Sequence, residues 1–192
     1  MPLHTQPDAP LPLVAFTALV DRQQHALDTF LRHLLGNAEE ASDVLQDTLY
    51  DAWRAAQAGK KPFVATGDED QMRRWLFQVA YYRSIDVRRR HRVLRWESLD
   101  RLIRWAGEPE QSGASFEEHV LEGEALRAAL ARLSPQDRSC FLLCEAHELS
   151  AAEVGQIVGA SPTVVRKRLS RAKQRLRALY QAQTSTVLEL LP

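Results

Sequence analysis

The 192-residue sequence is 45% apolar, with 25 basic and 25 acidic residues and only 8 Gly and 9 Pro. Such a chain can fold, but it has little material for hairpins or a glycine-rich phosphate loop, so an all-α protein is expected. A net charge of zero would speak against nucleic acid, which calls for excess Lys and Arg, were the charge not segregated along the chain. No run reaches the roughly eighteen apolar residues of a membrane span, and two cysteines do not make the disulfide framework of a small secreted domain. A cytoplasmic protein without stable membrane insertion is expected.

A Pro-rich tail over 1–12 leads into a first helix, with apolar residues at Phe16, Leu19, Leu27, Phe30, Leu31 and Leu34 and a stop at Gly36 and Asn37. A second helix carries Ala41, Val44, Leu45, Thr48, Leu49, Ala52 and Trp53 at i, i+3, i+4, i+7 spacing and ends near Gly59. Pro62 breaks the segment that follows. A third helix starts near Asp68 and runs through Trp75, Leu76, Val79, Ala80 and Ile85 into an arginine run. These three helices are expected to form a first domain over 13–93.

From 94 to 118 the periodicity weakens and breaker clusters appear around Gly107 and Gly113, which predicts a linker. Its apolar residues, among them Trp96 and Trp105, suit a short docking helix. A second domain is expected over 119–182. There Ser134-Pro135 opens one helix, Ser150-Ala-Ala-Glu153 has capping-box spacing, Gly159 ends the helix it opens, and Ser161-Pro162 opens the last. A short helix, a brief turn and a long basic helix make a helix-turn-helix. Residues 183–192 are expected to be a short tail.

On the last helix Thr163, Arg166, Lys167, Ser170 and Arg171 share one face, opposite the stripe of Val165, Leu169, Ala172 and Leu176. No acid occurs from Pro162 to Tyr180. Such a face can enter a major groove, with Arg and Lys donating to guanine edges and Lys173 meeting phosphates; the bland alternative is an ordinary solvated helix. Eight arginines against Asp86 alone lie between Arg73 and Arg95, whereas Glu39 to Asp51 holds five acids and no base. Asp43, Gln46, Asp47 and Tyr50 therefore form an acidic face unsuited to DNA, although Glu39 and Glu40 also serve the helix dipole. Cys140, Cys144 and His147, at i, i+4 and i+7, raise a zinc or redox site; three ligands on one helix leave no fourth, and buried cysteines commonly act as small hydrophobes. No metal or cofactor is expected, and no residue set fits a catalytic site.

The run Asp43-Val-Leu-Gln46-Asp47-Thr48 with Ala52-Trp53, the run Trp75 to Ala80 with Asp86 and Arg88 to Arg90, and the segments Leu133 to Arg138 and Leu149 to Val154 through Lys173 resemble the extracytoplasmic-function group of bacterial sigma factors. The likeness spans nearly the whole chain. It implies two all-α domains and a role in transcription initiation rather than catalysis. Asp43, Gln46, Asp47 and Tyr50 would dock on core RNA polymerase, with its β and β′ subunits as partners. Phe63, Arg73, Arg74, Tyr81, Arg88, Arg89 and Arg90 would hold the opened minus-ten element of promoter DNA, with Phe63 either a stacker or a local anchor. Thr163, Arg166, Lys167, Ser170, Arg171 and Lys173 would read the minus-thirty-five element, although Val164 and Lys167 stand where many members have Thr and Ser. An anti-sigma factor is a further expected partner.

The competing reading is a helix-turn-helix regulator with an all-helical sensor or dimerisation domain, which would hold duplex DNA alone and without polymerase.

Overall fold

A computed structural model describes residues 12–60, 62–63, 68–97 and 126–188, and within them there are helices and turns but no strand. The expected N-terminal tail, nearly all of the linker from 98 to 118 and the last residues of the C-terminal tail lie outside the described residues.

Helix α1 spans Leu13–Leu35 and ends where Gly36 takes φ 79°, a left-handed conformation that glycine adopts without Cβ strain. Its amide donates to the Arg32 carbonyl at 2.9 Å. Asn37 immediately caps α2, Ala38–Gln57, its side-chain oxygen accepting from the amides of Glu39 at 2.9 Å and Glu40 at 3.1 Å. Helix α3, Glu69–Glu97, follows a turn at Pro62-Phe63 and a cap in which Asp68 accepts from the Asp70 amide. It is longer than expected: the first residues of the anticipated linker are its last turn. The three helices pack on one another around Leu27, Phe30, Leu31, Leu34, Leu76 and Phe77, all essentially without exposure. Phe30 and Phe77 meet edge to face at 5.5 Å, a geometry that aromatic rings favour.

The remaining helices form a second group. Residues 126–131 are helical and lead to Leu133. Ser134 then caps α4, Pro135–Phe141, with Pro at the first turn and the Ser134 hydroxyl accepting from the Asp137 amide at 3.1 Å. Helix α4 runs directly into a π turn, Leu142–Ala146, that ends at His147. Helix α5, Ala151–Val158, starts in a complete capping box: Ser150 caps the Glu153 amide, and the Glu153 carboxylate returns to the Ser150 amide and hydroxyl. Gly159 closes it at φ 65°. Helix α6, Pro162–Leu188, packs against α4 and α5 through Val165 and Ala172, and carries helix into the stretch expected to be a tail.

The turn between α5 and α6 depends on a glycine that the sequence reading did not single out. A Cβ on Gly155 would stand 2.6 Å from the Ala160 carbonyl oxygen. That oxygen belongs to backbone, so the chain can approach so closely only because residue 155 has no side chain.

The two groups touch. Helix α3 packs on α5, and α1 meets α4. No helix among the described residues is long and apolar enough to cross a membrane.

Candidate functional site

Three surfaces carry the residues singled out above. On α2, Asp43, Gln46, Asp47 and Tyr50 are all exposed and sit together. The face is braced from behind by Arg83 of α3, whose guanidinium reaches Asp47 at 2.7 Å and Asp51 at 2.5 Å. Arg83 was not anticipated, because a contact between residues 32 and 36 positions apart leaves no local periodicity. Tyr50 lies under the Arg54 guanidinium, 5.9 Å from ring to charge. The core side of α2 holds Thr48, whose hydroxyl returns to the Val44 carbonyl at 2.7 Å.

On α6, Thr163, Arg166, Lys167, Ser170 and Arg171 are likewise exposed and share one face. A shallow groove along that face is lined by Arg166, Leu169, Ser170, Lys173, Gln174 and Arg177. Two of the cations have acidic neighbours: Arg171 donates to Asp137 at 3.0 Å and Lys173 to Glu145 at 2.8 Å. Arg166 and Lys167 project from the first turns of the helix, where a recognition helix meets base edges.

The third surface, on α3, departs most from expectation. Phe63 is fully buried, its ring edge to face with Trp75 at 4.9 Å and with Phe16 at 6.4 Å. Of the two roles weighed for it, the structure gives the anchor, and a stacking role is corrected: the ring that would meet a base closes the bundle. Tyr81 is also buried, 5% exposed, so its expected contact with a strand is corrected as well. Burial raises its pKa, which the Arg88 charge partly opposes. Tyr82, one position on, is 46% exposed and meets Tyr81 edge to face at 5.4 Å. One residue is a rotation of about 100° around a helix, enough to exchange inside for outside.

The arginines divide. Arg89 and Arg90 are exposed. Arg88 is partly buried, with one guanidinium nitrogen lacking a partner, and burial lowers its pKa. Arg73 and Arg74 are taken up by the second group of helices: Arg73 donates to the His147 carbonyl at 2.7 Å, and Arg74 to Glu153 at 2.9 Å. Gln78 donates to the Gln156 carbonyl at 3.2 Å. Glu153 is held below the usual carboxylate range, first by the Ser150 hydroxyl and amide and then by Arg74.

His147 completes this contact. It is 7% exposed, and its ring lies 4.7 Å from Phe77 and 5.8 Å from Phe30. Burial, then the Arg73 and His33 charges, lower its pKa to about 4. The imidazole is therefore neutral at pH 7 and acts as a polar plug in an apolar seam. Cys140, by contrast, is buried beside Arg168 of α6, and burial raises its pKa; burial also pushes Cys144 up to about 11. Among the described residues, no three His, Cys, Asp or Glu side chains are grouped to hold a metal ion.

Comparisons with known proteins agree on one family. The family described as Sigma-70, region 4, matches residues 123–176. The chain is similar to the ECF RNA polymerase sigma factor SigL of Mycobacterium tuberculosis, 30% identical over 85% of this chain and 88% of that relative. It is 32% identical to the ECF RNA polymerase sigma factor SigE of Mycolicibacterium smegmatis over 75% of this chain, which spans about half, 53%, of that relative's length. Among solved structures it is similar to the sigma factor RpoE of Bartonella quintana, determined in complex with the anti-sigma factor NepR, with a TM-score of 0.64, 25% identity, and 86% of this chain and 96% of that chain covered.

Proposed function

The chain belongs to the ECF RNA polymerase sigma factors, and from that premise we propose that it carries core RNA polymerase to specific promoters and helps to open them. The observation that carries this reading is the separation of three faces on one chain: acidic on α2, mixed basic and aromatic on α3, basic on α6. An acidic helix suits a basic partner and would be repelled by DNA. Asp43, Gln46, Asp47 and Tyr50 dock on the polymerase β and β′ subunits. Arg166, Lys167, Ser170 and Arg171, with Thr163 and Lys173, meet duplex DNA at the minus-thirty-five element. Arg73, Arg74, Arg89 and Arg90, with Arg88 behind them, meet the minus-ten element as it opens, where charge and stacking hold a single strand.

The domains implied run over 13–93 and 119–182, with a linker between them that lets both reach separate promoter elements so that their affinities combine. The protein works in the cytoplasm and makes no covalent change; polymerase does the chemistry. The likeness to a sigma factor solved with an anti-sigma factor supports a partner of that kind here.

Run-off transcription with bacterial core polymerase on a library of promoter fragments tests this. Specific transcripts should require the added protein, disappear with Gln46→Ala plus Asp47→Ala, and weaken or move to other fragments with Arg166→Ala plus Arg171→Ala. Tight duplex binding by the protein alone, with no polymerase-dependent transcript, would instead establish the conventional regulator.

A further inference from the structure

Helices α4 and α6 face each other along two matched pairs of residues. Asp137 meets Arg171 and, three residues later in α4 and three earlier in α6, Cys140 lies beside Arg168. Residues three apart are neighbours on a helix surface, so Arg171 is the point at which the exposed face of α6 reaches back to α4. Of the residues on that face, Thr163, Arg166, Lys167, Ser170 and Arg171, it is also the one with an ion pair among the described residues.

We propose that Asp137 is a positioning residue for promoter reading: it holds the Arg171 guanidinium so that one two-donor edge stays presented to a guanine of the minus-thirty-five element. The inference rests on the promoter-reading role of α6 given above. The two ends of the pair differ as such a support requires. The Asp137 side chain is 13% exposed and stands in the first turn of α4, where its amide is fixed by the Ser134 hydroxyl at 3.1 Å, whereas the Arg171 side chain is 65% exposed. Asp137 Oδ1 accepts from Arg171 Nη2 at 3.0 Å. That nitrogen carries two hydrogens, one beside Nε and one beside Nη1, and whichever of them the carboxylate takes, the other edge of the fork keeps two parallel N–H groups. Guanine O6 and N7 accept such a pair.

A long side chain on an exposed helix loses rotamer freedom when it binds, and a support anchored in α4 removes part of that loss beforehand. The support also carries a penalty, because a carboxylate near DNA repels phosphates of every sequence. Asp137 therefore favours the correct base over the others while weakening attachment to all of them. Lys173, whose ammonium meets Glu145 at 2.8 Å, does not allow this division: it is a point charge without a planar edge, so its acid tempers the charge and orients nothing.

The test uses the full chain assembled with core polymerase and a promoter that the wild type transcribes, with each base pair of its minus-thirty-five element replaced in turn. Filter binding at one fixed salt concentration gives the affinity for each fragment. One position should show a guanine preference that Arg171→Lys removes. Asp137→Asn should lower that preference about fivefold, the low end of what a bidentate arginine contributes at guanine and equal to about 1 kcal/mol, while binding to a fragment without the element rises. The double variant should lose no more preference than Arg171→Lys alone, since the support acts only through Arg171. An unchanged preference in Asp137→Asn would overturn the proposal, as would additive losses in the double variant. So would an equal change at every fragment, upward if Asp137 only repels phosphates, downward if it only steadies α4. Should Asp137→Asn not fold, Asp137→Glu carries the test: it retains the charge and displaces it by one methylene, so preference should fall while binding without the element stays as it was, and an unchanged preference again overturns the proposal. If the wild type gives no polymerase-dependent transcript, the sigma reading itself has failed and this inference falls with it.

Discussion

Helices α6 and α3 are the two basic helices of this protein, and they stand in opposite states. The face of α6 is open: Thr163, Arg166, Lys167 and Ser170 project into solvent, and a shallow groove runs past Arg166 and Ser170 toward Arg177. The row on α3 is closed, its Arg73, Arg74 and Gln78 each bonded to the other half of the molecule. Counting basic residues along the sequence makes the two helices look alike. What separates them is whether the other group of helices covers the face, and that is decided by tertiary contacts rather than by composition.

The strongest way to break the contrast is acid. His147 has a folded pKa of about 4 against an ordinary 6.5, so the separated or unfolded state binds its proton at higher pH than the closed state does. The contribution of the neutral ring is fully present above pH 6.5 and is lost as pH falls toward 4, about 3 kcal/mol in all. Arg73 from α3 and His33 from α1 face the ring and add to the repulsion, whereas Glu153, held low, keeps its charge through most of this window. Fluorescence transfer between labels on α2 and α6 should fall over that range, and a His147→Leu chain should lack the pH dependence.

A change confined to the α6 side sharpens the contrast from the other direction. Gly155→Ala pushes a Cβ against the Ala160 carbonyl and is expected to cost about 1–3 kcal/mol, read as a lower denaturation midpoint, while α1 to α3 retain their packing in hydrogen exchange. On the open face, Arg166→Ala should weaken promoter binding by about 1–2 kcal/mol with little effect on stability, as a filter-binding assay with holoenzyme would register. The smallest effect belongs to Arg83. Its ion pairs with Asp47 and Asp51 are partly exposed, so Arg83→Gln is expected to change stability by less than about 1 kcal/mol in urea titration.

The helices were legible because apolar spacing and caps are local: Gly36, Asn37, Ser134, Ser150 and Gly159 stand where the chain turns. The α2 and α6 faces were legible for the same reason, since each lies on one helix. The α3 face was not. The buried stripe there runs Leu76, Phe77, Ala80, Tyr81 and Ser84, and two adjacent tyrosines offer no compositional sign of which belongs to it; only its place four after Phe77 and three before Ser84 marks Tyr81 as the inner one. The contacts that cover Arg73 and Arg74 join residues more than 70 positions apart, beyond the reach of any periodic pattern. His147 illustrates the same limit: three residues from Cys144, it was weighed as a metal ligand, yet it faces Phe30 and Phe77 on other helices.

The π turn at Leu142–Ala146 accounts for part of that orientation. In a π turn the hydrogen bond spans five residues, and here the His147 amide reaches the Leu142 carbonyl at 3.2 Å. Directly after it Glu148 takes φ 55°, a conformation that residues other than glycine seldom adopt. Length, more than identity, is therefore what this stretch must keep. Cys144 exchanged for an apolar residue of similar size would leave the geometry intact, whereas deleting one residue would restore ordinary helical winding and swing residue 147 about 100° around the axis, turning the imidazole away from the seam between the two halves of the protein.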